Sequence, residues 1–318
     1  MPFAMSESFP RYLAAKKSVD DRALNQRVWS ALSRAVHAVD PQTPLRILEV
    51  GAGIGTMVER LIDGGVLHRA TYTAIDASAE NILHARQRLL RWGQERSFAA
   101  AETESGFILD RGADRLTLVL EAIDLFDFIR RERGKCSWDF LVAHAFLDLV
   151  DVPSTLSQLF DLLSDAGQFY FTLNFDGLSV MLPALDPQLD EHIFRLYHRT
   201  MDERIVNGTS SGDSCTGRHL LAHLPQAGAQ ILEAGASDWV VYPTGREYPG
   251  DEAYFLHFII KTVDSALAGH PELEAERLSA WIAQRHAQVE RGELVYIAHQ
   301  LDFFGLAKPS HHSAVTVI

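Results

Sequence analysis

The 318-residue chain has little cysteine and no long apolar run. Its two cysteines, Cys136 and Cys215, form no CxxC pair, so we expect no disulfide framework, no zinc site and no other metal. So few cysteines are typical of a reducing compartment. No segment approaches the ~18 apolar residues that span a bilayer, and the N-terminus lacks an apolar stretch of signal-peptide length. We therefore expect a soluble, cytoplasmic protein without a membrane partner.

Basic residues are also scarce: 29 Lys and Arg stand against 42 Asp and Glu, which gives a formal net charge of -13. Such a surface repels phosphate backbones, so a nucleic-acid partner would need a local basic patch. The densest basic segments, Lys16 with Lys17 and residues 130–135, are interpreted as solvated helix faces or loops. A small molecule is therefore the expected partner, and the oligomeric state is left open.

Short apolar runs alternate with helical patterns through the first half of the chain. Strands are predicted at residues 45–50, 71–75, 116–121, 139–143 and 167–173. Helices are predicted at residues 22–39, 56–62, 79–92, 125–133 and 153–163. This alternation is typical of a doubly wound α/β fold, in which a parallel sheet carries helices on both faces.

The rhythm changes after residue 174. Residues 175–213 contain two prolines, a predicted helix and a loop, and are interpreted as an insert that caps the substrate. The alternation resumes with a helix at 217–226 and strands within 229–242 and at 254–262, and the last two strands are expected to pair antiparallel. A helical tail is predicted at 271–291. The predicted parts are a helical lid (1–44), a sheet domain (45–262) that contains the insert, and a C-terminal helical extension (263–318).

The strongest signal is residues 49–56 (EVGAGIGT), between a predicted strand and a predicted helix. The glycines Gly51, Gly53 and Gly55 let a ligand approach the backbone where a Cβ would block it. The amides at the start of the helix favour an anionic group. The third glycine comes one residue earlier than the nicotinamide pattern GxGxxG requires.

Two acids accompany this loop. Glu49 ends the first strand, where a carboxylate can receive an ammonium group but would repel a pyrophosphate. Asp76 ends the second strand, a position from which a carboxylate accepts hydrogen bonds from ribose hydroxyls. Together they predict a ligand with a ribose and a positively charged amino-acid group.

Three segments in order, LEVGAGIGT, AIDAS and EAIDLFDF, resemble the first three motifs of the class I S-adenosylmethionine-dependent methyltransferases. The resemblance implies a Rossmann-like sheet of seven strands, mostly parallel with an antiparallel last strand, across residues 45–262. It also implies S-adenosylmethionine as the cofactor and methyl transfer as the activity. One departure is residues 163–167 (LSDAG), where many members of the family have a Pro-Gly-Gly turn.

By position, the resemblance also implies a role for individual residues. The glycines would approach the methionine part and the ribose, with Glu49 near the same loop and Asp76 on the ribose. Ala77, Asp124 and Leu125 would surround the adenine, and His144 would lie beside the sulfonium and the acceptor. The implied cofactor-binding residues are Glu49, Gly51, Ala52, Gly53, Gly55, Asp76, Ala77, Asp124, Leu125 and His144. Asp124 can equally be a helix N-cap, and His144 a hydrogen-bonded core histidine.

Methyl transfer needs an acceptor held in line behind the methyl group, and a general base only if the acceptor is protonated. His144 is the predicted catalytic residue because it follows the fourth strand. The insert offers further polar candidates, namely His192, Tyr197, His198, Asp202, Arg204, Asp213 and Arg218. An apolar or aromatic acceptor is suggested by Phe175, Leu178, Met181, Leu182, Phe194 and Tyr197. Family analogy suggests a lid from Phe9, Tyr12 and Lys16.

Four other functions remain open, among them aminopropyl transfer on the same fold, for which the sequence shows no acidic polyamine-binding pattern. An NAD-dependent oxidoreductase would also use a glycine-rich loop, although the glycine spacing and Glu49 argue against it. A nucleic-acid methyltransferase is disfavoured by the acidic charge and by residues 143–146 (AHAF), which replace an Asn/Asp-Pro-Pro-Tyr segment. A catalytically silent cofactor-binding protein of the same fold is compatible with the sequence. The acceptor and its reacting atom are not determined by the sequence.

Overall fold

The computed structural model describes residues 9–134, 138–206 and 208–307. Residues 1–8 of the predicted lid, Cys136 and residues 308–318 of the predicted extension lie outside the described residues. The helices are α1 (Phe9–Ala23), α2 (Gln26–His37), α3 (Thr56–Asp63), α4 (Ala79–Glu95), α5 (Leu125–Glu132), α6 (Val152–Phe160), α7 (Pro187–Asp202), α8 (Thr216–Gln226), α9 (Glu252–Leu267) and α10 (Ala275–Glu290), with a 3₁₀ turn at Leu147–Leu149.

The strands are β1 (Leu45–Val50), β2 (Arg69–Asp76), β3 (Ala99–Thr103), β4 (Gly106–Arg111), β5 (Asp114–Ala122), β6 (Trp138–His144), β7 (Leu163–Leu182), β8 (Ile205–Val206), β9 (Thr209–Ser210), β10 (Gln230–Ala236), β11 (Trp239–Val241) and β12 (Val295–Leu306). The main sheet has the order β10-β12-β7-β6-β1-β2-β5-β4-β3, and β11 pairs with β12 beside this path. Strands β8 and β9 form a separate hairpin.

The sheet confirms the predicted fold class. Strands β5, β2, β1, β6 and β7 are parallel neighbours, and β12 runs antiparallel to both β7 and β10. These seven strands form the mostly parallel sheet with an antiparallel last strand. The hairpin β3–β4, in a region for which the sequence predicts no element, extends the sheet beyond β5.

The last strand is not where the sequence predicts it. Residues 254–262 (YFLHFIIKT) belong to α9, and the antiparallel strand is β12. Because α9 buries nearly all of its sides against α1, α7 and α10, its residues form an apolar run without the periodicity that distinguishes a helix from a strand. The predicted boundary at residue 262 therefore falls inside a helix, and the sheet ends at Leu306.

The helices cover the sheet in three apolar clusters. One cluster packs α2, α3 and α4 against one face, and a second packs α5, α6 and α8 against the other. A third joins α1, α7, α9 and α10 to the ends of β7 and β12. The order reverses between β1 and β6, and in open α/β sheets ligands bind beyond the carboxyl ends of the strands at such a point.

The place of β12 in the core is tested with a pair of truncations on neighbouring strands. Phe303 is fully buried in β12, whereas Leu232 in β10 is 47% exposed. We expect Phe303→Ala to cost about 3–5 kcal/mol of unfolding free energy, since it leaves a cavity, and Leu232→Ala to cost under about 1 kcal/mol. Urea unfolding of both variants measures the difference, and equal costs would contradict the assignment of β12 to the core.

Candidate functional site

The glycine loop after β1 approaches its neighbours closely. Gly51 and Gly53 have φ angles of +66° and +55°, in the left-handed region. A Cβ on Gly51 would lie 2.2 Å from the Phe146 ring, and the Ala52 amide donates to the Ile75 carbonyl at 2.9 Å. The loop is therefore held between the ends of β2 and β6, with no space for a side chain at Gly51.

Asp76 at the end of β2 also holds the loop. Its Oδ2 accepts a hydrogen bond from the Gly53 amide at 2.8 Å. Its Oδ1 accepts from the Ser78 amide at 2.8 Å and from Asn81 Nδ2 at 3.1 Å. Because each carboxylate oxygen has two lone pairs, Oδ2 keeps one for a ligand hydroxyl.

Glu49 is a buried acid at the end of β1. The Tyr72 hydroxyl donates to its Oε2 at 2.9 Å. Burial raises the pKa of Glu49 to about 8, so the side chain is mostly protonated at neutral pH. A cation beside it would favour the ionised form. The site therefore holds a buried carboxyl group whose ionised form a neighbouring cation would stabilise.

A cavity of about 630 Å³ opens beside these residues. Its wall contains every predicted cofactor-binding residue except Gly55, namely Glu49, Gly51, Ala52, Gly53, Asp76, Ala77, Asp124, Leu125 and His144. Gly55 faces α4 instead, and a Cβ there would lie 2.8 Å from Leu89 Cδ1. Gly55 therefore permits the packing of α3 on α4.

Asp124 has the cap geometry and also faces the cavity. It is the N-cap of α5, and its Oδ1 accepts from the Phe126 amide at 2.8 Å and the Asp127 amide at 3.3 Å. Both cap bonds use the same oxygen. The two interpretations of Asp124 in the sequence are therefore compatible with each other.

Asp20 on α1 has four polar partners. Its Oδ2 lies 2.9 Å from Lys16 Nζ and 3.3 Å from Arg60 Nη2. The same oxygen lies 3.1 Å from His144 Nε2, and Oδ1 accepts from Trp239 Nε1 at 2.9 Å. Burial alone would raise the pKa of Asp20, but Lys16, His144 and Arg60 hold it well below its usual range. The ionised carboxylate thus joins α1 to α3, β6 and β11.

His144 at the end of β6 has both ring nitrogens engaged. Nδ1 lies 2.7 Å from Thr172 Oγ1, and Nε2 faces Asp20 Oδ2 and Arg60 Nη1, each at 3.1 Å. A neutral ring either donates to Asp20 or accepts from Arg60, and in both cases neither nitrogen is left free. Burial and the Arg60 charge lower the pKa of His144 to about 4, so the ring is neutral near pH 7.

No motif in the sequence singles out Asp20 or Arg60, and the prediction that Lys16 lies on a solvated face is wrong. Lys16 is buried and paired with Asp20, while Lys17 pairs with Asp21 at 2.6 Å and is partly exposed. The four-residue spacing of Lys16 and Asp20 was a signal for this pair. An arginine between the apolar residues of α3 was a weaker signal for Arg60.

Helix α1 lies against the cavity as a wall. Phe9, Leu13 and Lys16 line it, and a Cβ on Gly53 would lie 3.0 Å from Leu13 Cδ1. The side chain of Tyr12, proposed for the lid by analogy, instead stacks on Phe258 of α9, with ring centroids 4.0 Å apart.

The insert contributes Val206 and Ser211 to the described part of the wall, and not the residues that the sequence suggests. Arg218 pairs with Asp176 at 2.9 Å, and Asp202 accepts from the Ser214 amide at 2.7 Å. Four of the six apolar candidates pack in the cluster around α9, and Leu178 and Leu182 are exposed. The hairpin β8–β9 and its flank, not α7, therefore border the cavity.

The described residues contain neither a metal-binding cluster nor a membrane-spanning helix. No group of three or more His, Cys, Asp or Glu side chains there is arranged to hold a metal ion. No helix in the same part of the chain is long and apolar enough to cross a membrane.

Comparison with known proteins gives no match to a protein-family model or to a curated protein. Among solved structures, a phosphoethanolamine N-methyltransferase from Haemonchus contortus with S-adenosylhomocysteine is 12% identical, with a TM-score of 0.44. That alignment covers 96% of this chain and 58% of the other, so this chain spans less than two thirds of its length. Geranyl diphosphate C-methyltransferase from Streptomyces coelicolor, also with S-adenosylhomocysteine, is 10% identical over 96% of this chain and 88% of its own, with a TM-score of 0.39. At these identities the likeness is one of fold alone.

The raised pKa of Glu49 makes stability depend on pH. The ordinary value is 4.5 and the folded value about 8, so the folded state holds the proton more tightly. Stability from this group is fully present below about pH 4.5 and is lost as the pH rises through about 8. We expect Glu49→Gln to remove this loss. Between about pH 4.5 and 8, the difference in unfolding free energy between this variant and the wild type should therefore rise by up to about 1.4 kcal/mol for each pH unit.

Urea unfolding of the ligand-free protein across this pH window measures the effect. The control is Glu102→Gln, which changes an exposed carboxyl group on β3 and should leave the pH dependence as in the wild type. Parallel curves for Glu49→Gln and the wild type would contradict the burial of a protonated Glu49.

Proposed function

We propose that the chain is an S-adenosylmethionine-dependent methyltransferase that acts on a small-molecule acceptor. The observation that carries the proposal is that Glu49, the Gly51 and Gly53 backbone and Asp76 share the wall of one cavity. This set suits a nucleoside joined to an amino-acid cation. The volume of about 630 Å³ is in the range of small-molecule sites.

The residues present fit this cofactor. Asp76 would accept a ribose hydroxyl on the free lone pair of Oδ2, and Glu49 would ionise against the ammonium group. Asp124 makes its cap bonds through Oδ1, which leaves Oδ2 for the adenine amino group. Ala77 and Leu125 would lie against the adenine ring. The cofactor supplies a methyl group that its sulfonium already activates.

The protein's own contribution is then to orient the two reactants and to exclude water. Helix α1 covers the glycine loop through the contact of Leu13 with Gly53. The turn Leu147–Leu149 and the hairpin flank border the other end of the cavity, where Leu149, Val206 and Ser211 lie. These walls would confine an acceptor beside the cofactor without any covalent step on the protein.

For His144 we propose a positioning role in place of the predicted base. Both of its ring nitrogens are engaged by Thr172 and by Asp20 or Arg60, so accepting a proton from an acceptor would require one of these bonds to break. Through Asp20, the ring fixes α1 against the end of β6. Such fixing of the wall helps to hold an acceptor in one orientation.

The cofactor is tested by calorimetric titration of S-adenosylmethionine and, in parallel, of NADH. We expect S-adenosylmethionine to bind, and Asp76→Asn to weaken binding about tenfold or more because the anionic acceptor for the ribose is lost. Asp110→Asn, which changes a half-exposed carboxylate on β4, is the control and should bind as the wild type does.

Binding of NADH without S-adenosylmethionine would move the protein to the oxidoreductases. Binding of S-adenosylmethionine without turnover on any acceptor would support a silent cofactor-binding protein. Equal affinity in Asp76→Asn and the control would remove the ribose assignment.

The positioning role of His144 predicts a neutral imidazole across the physiological pH range. We expect the ¹⁵N resonances of this ring to stay at neutral-form shifts until the pH falls towards about 4, since burial and Arg60 oppose its protonation. A pH titration by NMR, with His144→Gln to identify the resonances, measures this. Titration near neutral pH would instead support a role as base.

A further inference from the structure

The cavity mouth carries exposed apolar side chains from three separate segments. Phe9 at the start of α1 is 49% exposed, Leu149 in the 3₁₀ turn is 44% exposed and Val206 in β8 is 49% exposed. All three also line the cavity, so each spans its interior and its mouth. We call these three side chains the outer rim. Phe126 in α5 is 42% exposed and also lines the cavity, but it stands beside Asp124 and is not part of this group. Scattered exposed apolar residues need no explanation, but a group around one opening marks a binding surface.

Two of the three segments are fixed to each other by hydrogen bonds. The Ser211 hydroxyl donates to the Leu149 carbonyl at 2.7 Å, and Arg204 Nη2 donates to the Asp148 carbonyl at 2.6 Å. Arg204 Nε also donates to the Ser211 carbonyl at 2.6 Å. The turn and the flank of the hairpin therefore form one hydrogen-bonded wall.

The charges near the rim are already engaged within the protein. Arg204 is bonded to backbone carbonyls, and Lys16 is paired with Asp20. The proposed cofactor accounts for the acids at the other end of the cavity. One charged side chain of the described wall has neither role, namely Asp151 at the start of α6. Its carboxylate does not cap that helix. Among the described residues, the rim therefore offers apolar contact and no free cation for a phosphate or carboxylate.

We propose that the acceptor is a molecule with an apolar body, aliphatic or aromatic, that lies across the outer rim with its nucleophile pointing into the cavity. The cavity is continuous from the rim to the wall formed by Glu49 and Asp76. An apolar body at the rim would remove the three side chains from water, which is the main source of affinity for such ligands. This inference rests on the proposed methyl transfer only for the position of the nucleophile.

The probe is N-phenyl-1-naphthylamine, an uncharged aromatic molecule whose fluorescence rises in apolar surroundings. It is titrated into the full chain with and without saturating S-adenosylhomocysteine. We expect saturable binding in both conditions, weakened about tenfold or more by Leu149→Asp and by Val206→Asp, because each places a charge against the apolar body. Both positions are exposed, so these changes leave the core intact.

The matched control is Leu83→Asp on α4, where an equally exposed leucine (54%) lies outside the cavity wall. It should bind the probe as the wild type does, and so should Asp151→Asn, since the probe has no charge. Calorimetry should give the same affinity for S-adenosylhomocysteine in the rim variants and the wild type. If the wild type does not bind S-adenosylhomocysteine, the proposed function is rejected. Probe binding to the ligand-free protein then still tests the rim.

Three results would overturn the inference. The first is the absence of saturable probe binding, or equal loss in the rim variants and Leu83→Asp. The second is co-sedimentation with phosphatidylcholine vesicles that the rim variants abolish, which would make the rim a membrane contact. The third is a lower sedimentation coefficient in the rim variants, which would make it an interface between two copies of this chain.

Discussion

The buried carboxylate of Asp20 is the interaction on which the closed shape of the site depends. It joins α1 to α3, β6 and β11 through Lys16, Arg60, His144 and Trp239. A buried charge is costly unless its partners satisfy it, and here four polar side chains surround one carboxylate. Because α1 is also a wall of the cavity, the same group that neutralises these cations sets the position of that wall.

The elements around the cavity contribute acids in one part of the chain and exposed apolar side chains in another. Around β1, β2 and β5 the cavity presents the acids Glu49, Asp76 and Asp124, each held by hydrogen bonds within the protein. Towards the turn and the hairpin it presents Phe9, Leu149 and Val206. Methyl transfer from an activated sulfonium requires orientation more than acid–base catalysis. Acids that fix one reactant and apolar side chains that confine the other are consistent with that requirement.

The sequence predicts some elements better than others for physical reasons. The parallel strands contain short apolar runs, and this pattern survives burial on both faces. A continuous apolar run also led to the wrong prediction of a strand at residues 254–262. A helix that is buried on nearly all sides has the same kind of sequence. Strand β3 has no such pattern, since its residues are small or charged and mostly exposed.

The sequence by itself determined the doubly wound sheet, the glycine turn and the two acids at the ends of β1 and β2. These are local features, in which the residue types and their spacing along one or two elements are sufficient. The tertiary structure alone decided that Asp20 reaches His144 across 124 positions of the chain, and that Val206 and Leu149 border one opening. It also showed that Gly55 serves helix packing. Such contacts depend on how α1 and the insert fold over the sheet, which no periodicity in the sequence records.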